Sequence, residues 1–125
     1  MLRIENLTKS YGTREILSGI SLEIPLDGGI YGVFGPNGAG KTTLFRCIMG
    51  LVPFKSGRIE FSEEDVTKLP TEEIVRRGVA YMFQESILFH DLSVSENIES
   101  IFTFSFSALS ANATSAGLVL PISSK

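Results

Sequence analysis

At 125 residues the chain suits one small domain and can bury a core only with little margin. Its composition, 43% hydrophobic and 20% charged, is ordinary globular usage. A net charge of −3 argues against a dedicated nucleic-acid binder, which carries a basic face, and a single cysteine, Cys47, rules out an internal disulfide.

Arg3, Glu5 and Lys9 interrupt any apolar leader, so the start of the chain reads as cytosolic and without a signal peptide. Residues 2–7, "LRIENL", alternate apolar and polar and predict a half-buried strand. "TKSYGTRE" reads as a turn, and "ILSGISLEI" at 16–24 as a second strand. Pro25, Asp27, Gly28 and Gly29 mark the next turn. "IYGVF" at 30–34, a short apolar run bounded by glycines, predicts a fully buried strand. A mostly apolar helix is expected over 43–51, stopped by Gly50 and Pro53, with Cys47 as a small buried hydrophobe within it. "GRIEFS" predicts a strand. "TEEIVRRG" predicts a short helix with acids in its first turn, arginines in its last and Gly78 as its cap. "VAYMF" reads as a further buried strand, and Ser93 with Glu96 as a capping-box helix start. Strands alternating with helices make the class α/β.

One stretch carries chemistry. "GPNGAGKTT" at 35–43 meets the pattern G-x-x-x-x-G-K-[ST] at Gly35, Gly40, Lys41 and Thr42, after an expected strand and at the start of an expected helix. Glycines let the backbone wrap close to an anion. Successive N–H groups and the positive helix end then converge on phosphate oxygens. Lys41 supplies a point charge for the β- and γ-phosphates, and the Thr42 hydroxyl is placed to ligate Mg²⁺.

With these residues in view the sequence resembles the N-terminal half of an ABC transporter ATP-binding subunit. The resemblance runs in order through "IENLTKSYGTREILSGISLEI", "GPNGAGKTTLFRCIMGLVPFKSGRIEF" and "RRGVAYMFQESILFHDLSVSENI" and covers about residues 2–99. It implies a P-loop NTPase-type α/β core, truncated before the helical signature subdomain and the Walker B strand. It implies ATP and Mg²⁺ as ligands. Tyr11 matches the aromatic that stacks on adenine, a role its flat face suits, against the alternative of a core or strand-edge tyrosine. Pro36, Asn37, Gly38, Ala39 and Thr43 match the rest of the phosphate cradle. Gln84 matches the Q-loop glutamine that contacts Mg²⁺ or the attacking water and relays to the membrane partner. His90, the only histidine, lies too early to match the family's switch histidine and reads as an exposed loop residue. Gly29 stands where Glu is common and Phe83 where Pro is common; neither change removes a phosphate contact.

The implied partners are a transmembrane permease and a second ATP-binding subunit, with no nucleic acid, and the implied location is cytoplasmic, at the inner face of a membrane. Residues 65–81 and 83–98 look somewhat like lipopolysaccharide-export and branched-chain amino-acid ATP-binding subunits.

Residues 85–125 contain no LSGGQ-type run and no apolar strand ending in Asp-Glu, and no acidic residue follows Glu99. Walker B and its glutamate would anchor Mg²⁺ and polarise the attacking water, so the chain as it stands is expected to bind ATP without meaningful turnover. In the family the Walker B strand borders the P-loop strand, so "IYGVF" is expected to lack a neighbour and expose apolar surface. Of 25 charged side chains, 24 lie in residues 1–100, which divides the chain into a family segment, 1–100, and a tail, 101–125. The tail reads as a frameshifted or misassembled end, a divergent end without fixed structure, or a membrane segment diluted by serines, Asn112 and Pro121. Two functions follow: an ATP-binding transporter subunit in truncated form, or a non-enzymatic nucleotide-binding or regulatory fragment.

Overall fold

A computed structural model of the chain describes residues 1–81, 91–97, 99 and 118–120. They fall into two compact units, Met1–Ile74 and Val75–Lys125.

The first unit is built on an antiparallel hairpin. β1 (Leu2–Tyr11) pairs with β2 (Arg14–Ile24), and Tyr11 opposes Arg14 across the two-residue loop Gly12-Thr13. Gly12 takes φ +58°, a first loop position that suits glycine. β3 (Ser56–Phe61) pairs with the other edge of β1, and β4 (Glu64–Asp65) with β3, giving the order β2-β1-β3-β4. Ser62 and Glu63, which join β3 to β4, both have positive φ, as a type I′ hairpin requires. Two helices are interleaved with the strands: α1 (Lys41–Ile48) between β2 and β3, and α2 (Thr71–Arg76) after β4, the latter carrying Ile74 into the first unit's core. The core of this unit is Leu2, Ile4 and Leu7 of β1, Leu17 of β2, Ile59 and Phe61 of β3, and Leu44, Phe45, Cys47 and Ile48 of α1, with Met49 just beyond.

The sheet face on which a β1 side chain lies depends on a bulge. Ile4 opposes Leu22 but Leu7 opposes Ile20, so β1 carries one residue more than β2 across this interval. Asn6 takes φ +49° there. The extra residue reverses the alternation, so the buried set passes from Leu2 and Ile4 to Leu7 and Lys9. Side chains satisfy the displaced backbone: the Asn6 amide donates to Ser21 Oγ at 2.8 Å and the Gly19 amide to Thr8 Oγ1 at 3.1 Å. Gly57 of β3 faces the bulge with φ +120°, and a Cβ there would lie 2.6 Å from the Leu7 Cα.

In the second unit β5 (Val79–Tyr81) pairs in parallel with β6 (Leu118–Leu120). Residues 94–97 are helical, and the box before them forms as expected. The Ser93 amide and hydroxyl donate to Glu96 Oε2 at 2.8 and 2.7 Å, while the Glu96 amide donates back to Ser93 Oγ at 3.3 Å. No helix among the described residues is long and apolar enough to cross a membrane.

Four expectations need correction. β1 runs on to Tyr11, so the turn expected over 8–15 shrinks to two residues, because cross-strand pairing with β2 and β3 holds the polar segment extended. α1 begins at Lys41 and ends at Ile48, about two residues earlier than expected. Its end is a Schellman motif: Gly50 (φ +66°) donates to Cys47 O at 3.0 Å and Leu51 to Arg46 O at 2.9 Å. β4 had no strand signal. Lastly, "IYGVF" forms no strand, and Ile30 and Phe34 are 95% and 93% exposed. An apolar run becomes a buried strand only when neighbours pair its backbone, and among the described residues none pairs with 30–34. The apolar surface of this segment is exposed, as expected. The last two residues of "VAYMF" lie outside the described residues.

Candidate phosphate-binding site

The loop from Gly35 to Gly40 is wound around its own lysine. Lys41 Nζ donates to the carbonyl oxygens of Gly35 and, at 2.9 Å, of Pro36. The Ala39 amide donates to the same Pro36 carbonyl at 3.2 Å. An ammonium has three donors, so Lys41 can hold the loop closed and still offer a proton to an anion. Gly38 and Gly40 take φ +81° and +94°, a backbone that side chains other than glycine rarely adopt. Residues 35–39, including Asn37, are exposed, while Gly40, Lys41, Thr42 and Thr43 are partly buried where the loop enters α1.

Gly40 is where the loop meets the hairpin. A Cβ at this position would lie 2.9 Å from Leu17 Cδ2, 3.0 Å from the Ile16 carbonyl oxygen and 3.1 Å from Ile16 Cγ2. Leu17 is in turn the cross-strand partner of Lys9, two residues before Tyr11. The hairpin therefore carries both arms of the expected site: the end of the phosphate loop rests on β2, and Tyr11 ends β1.

The start of α1 is open. Gly40 is its N-cap in a left-handed conformation with no side-chain cap, and no acidic residue lies in the first turn. Helix starts leave backbone donors without intrahelical partners and carry positive potential. Among the described residues, no side-chain cap and no first-turn carboxylate competes for them. Lys41 adds a full positive charge at the same end. The partly buried Thr42 sits on this first turn. A lone hydroxyl fits an ion whose other ligands are phosphate oxygens and water, which is how Mg²⁺ is commonly held. Among the described residues no group of three or more His, Cys, Asp or Glu could form a cage of its own.

Tyr11 is 47% exposed, so its ring is reachable. One face is occupied by Lys9, whose Nζ lies 4.5 Å from the ring centroid. Nothing in the sequence pattern singled out Lys9; only the bulge at Asn6 turns it inward. Cys47 is 1% exposed, and burial pushes its thiol pKa up, against a smaller lowering by the Lys9 charge. It is a packing residue, as expected. Gln84 and His90 lie outside the described residues.

Residues 17–121 match the ABC transporter family. An uncharacterized ABC transporter ATP-binding protein of Rhizobium meliloti is 46% identical over 76% of this chain and 35% of its own length. The lipopolysaccharide export system ATP-binding protein LptB of Escherichia coli K12 is 40% identical over 80% of this chain and 41% of its own. Among solved structures, MJ1267, an ATP-binding cassette of an ABC transporter, superposes with a TM-score of 0.71 at 30% identity, covering 90% of this chain and 46% of that one. The dimeric cassette MJ0796 bound to ADP and Pi gives 0.68 at 27% identity, covering 84% and 48%. The chain thus spans less than half the length of these relatives. A family match that takes in the phosphate loop, and cassette structures that share the fold around it, establish that the chain belongs to the ABC transporter ATP-binding family.

Proposed function

We propose that the chain binds Mg-ATP as part of the ATP-binding subunit of an ABC transporter. One observation carries the reading: the start of α1 is uncapped and free of acids, at the end of a loop that Lys41 holds closed. In this reading Gly35, Pro36, Asn37, Gly38, Ala39, Gly40 and Thr43 cradle the phosphates, with Lys41 as the point charge. Thr42 ligates Mg²⁺ and Tyr11 stacks on adenine, while Gln84 contacts the ion or the attacking water. When bound, Mg²⁺ would neutralise the phosphate oxygens and orient them.

The subunit works at the inner face of a membrane, with a permease and a second ATP-binding subunit. The dimeric structure of the cassette MJ0796 bound to ADP and Pi lends support to such pairing. Transport direction is left open by the relatives, which include both lipopolysaccharide-export and phosphonate-import ATP-binding proteins. On its own the chain turns ATP over negligibly, since no acidic side chain follows Glu99 to anchor the ion or activate water.

The test is binding of a fluorescent ATP analogue with Mg²⁺ to the purified chain, alongside Lys41→Ala and Tyr11→Ala. Saturable binding that is weakened in both variants is the expected result. Equal binding by wild type and Lys41→Ala would overturn the reading. Phosphate release abolished by Lys41→Ala would refute the lack of turnover.

A further inference from the structure

Lys9 is in an unusual place. It is only 8% exposed, at an inward position of β1 created by the bulge at Asn6. Lysines are rarely buried unless paired, because the ammonium loses hydration. The strand ion pairs of this sheet use other residues: Arg3 with Glu23 and Glu60, and Arg58 with Glu60 and Asp65. Lys9 instead puts its ammonium 4.5 Å from the Tyr11 ring centroid, within the range of a cation–π contact. Its cross-strand partner Leu17 is the residue on which Gly40 rests. A chain of contacts thus runs from the phosphate loop through Leu17 and Lys9 to the tyrosine.

We propose that Lys9 is a positioning residue for the nucleobase, holding the Tyr11 ring by one face so that the opposite face is presented as a stacking platform. The inference rests on the reading that Tyr11 stacks on the base. A tyrosine at a strand end has two free side-chain torsions, and a fixed cation beneath it removes part of that freedom before ligand arrives. The cation also draws electron density toward itself, making the free face less repulsive to the π-cloud of a purine. Lys9 does this without touching the ligand. Its influence should therefore appear with a ligand that carries a base and vanish with one that carries only phosphates.

Calorimetric titration of the full chain with Mg-ATP and with Mg-tripolyphosphate separates these cases. Lys9→Met keeps the stem and removes the charge. It is expected to raise the Kd for Mg-ATP roughly 3- to 10-fold while leaving tripolyphosphate within about twofold. Lys9→Arg, which keeps a cation, is expected to restore ATP binding. Equal losses for both ligands, or no loss for either, would overturn the proposal. Tyr11→Ala is the reference. If it lowers ATP affinity selectively and Lys9→Met does not, stacking stands and the role of Lys9 falls. If Tyr11→Ala leaves the preference for ATP over tripolyphosphate unchanged, the stacking reading itself fails and takes the proposal with it. Should Lys9→Met not fold, the wild-type chain still decides. The Lys9 ε-methylene protons should show an upfield ring-current shift by NMR that persists with Mg-ATP bound. Absence of the shift, or its loss on binding, would overturn the proposal.

Discussion

Replacing Gly40 by alanine tests how the phosphate loop is held, and Gly38→Ala supplies the comparison. Both residues have positive φ, +81° at Gly38 and +94° at Gly40, so either substitution forces a Cβ into left-handed backbone. That alone costs about 1–2 kcal/mol. At Gly38 the new methyl meets nothing within 4 Å, so the cost should stop there. At Gly40 it would lie 2.9 Å from Leu17 Cδ2 and 3.0 Å from the Ile16 carbonyl oxygen. The leucine tip can turn aside, but the carbonyl is backbone of β2 and can move only if the strand moves with it. Crowding of this kind adds about 1–3 kcal/mol, for a total near 2–5 kcal/mol. Against a typical stability of about 5–15 kcal/mol this is a large change. Guanidinium unfolding followed by circular dichroism measures it, and affinity for a fluorescent ATP analogue reports whether the loop has shifted. The expected order is wild type, Gly38→Ala, then Gly40→Ala in both assays. Leu17 is itself a core residue, so Leu17→Ala destabilises in either background, but it should cost less with Gly40→Ala than alone, because it also relieves part of the crowding. Equal destabilisation by the two glycine substitutions would refute the view that close approach to β2, beyond backbone conformation, anchors the loop.

Three further outcomes are expected. Gly57→Ala should cost about 2–5 kcal/mol by denaturant unfolding, since its Cβ would lie 2.6 Å from the Leu7 Cα and its φ is +120°; a loss under 1 kcal/mol would mean that the bulge is not held there. The Asp65 carboxyl is held below its usual pKa by hydrogen bonds from the Thr67 hydroxyl and amide and by the Arg58 guanidinium. A depressed carboxyl pKa stabilises the fold above the ordinary value and loses that contribution as pH falls through the depressed one, so Asp65→Asn should flatten this acid-side dependence, and an NMR titration midpoint at or above the ordinary aspartate value would contradict the geometry. Cys47, 1% exposed and with its thiol pKa raised by burial, should resist a thiol-reactive dye in the folded chain and react promptly in denaturant; fast labelling of the folded chain would show that α1 opens.

Much of this protein was legible before the fold was known, for a local reason in each case. The phosphate-loop pattern needs only a backbone that can turn at Gly38 and Gly40, a lysine that can reach back, and a helix start with no competing cap. All of these lie within nine consecutive residues, 35–43. Ser93 and Glu96 are likewise close enough to find each other without tertiary help. The short strand β4 escaped notice because Ser62 and Glu63 take positive φ without the Asn-Gly or Asp-Gly pair that announces such turns.

What the sequence by itself determined is therefore the conformation of the loop, the family and the order of most elements, because each rests on neighbours along the chain. Only the tertiary structure decided which side chains lie beside the loop and Tyr11. The broken alternation at Glu5-Asn6 carries no sign of where the extra residue goes; pairing with β2 and β3 places it at Asn6, and that choice turns Lys9 inward under Tyr11. The apolar run at 30–34 has the composition of a buried strand yet lies open, because burial is conferred by neighbours that pair its backbone and not by the run itself.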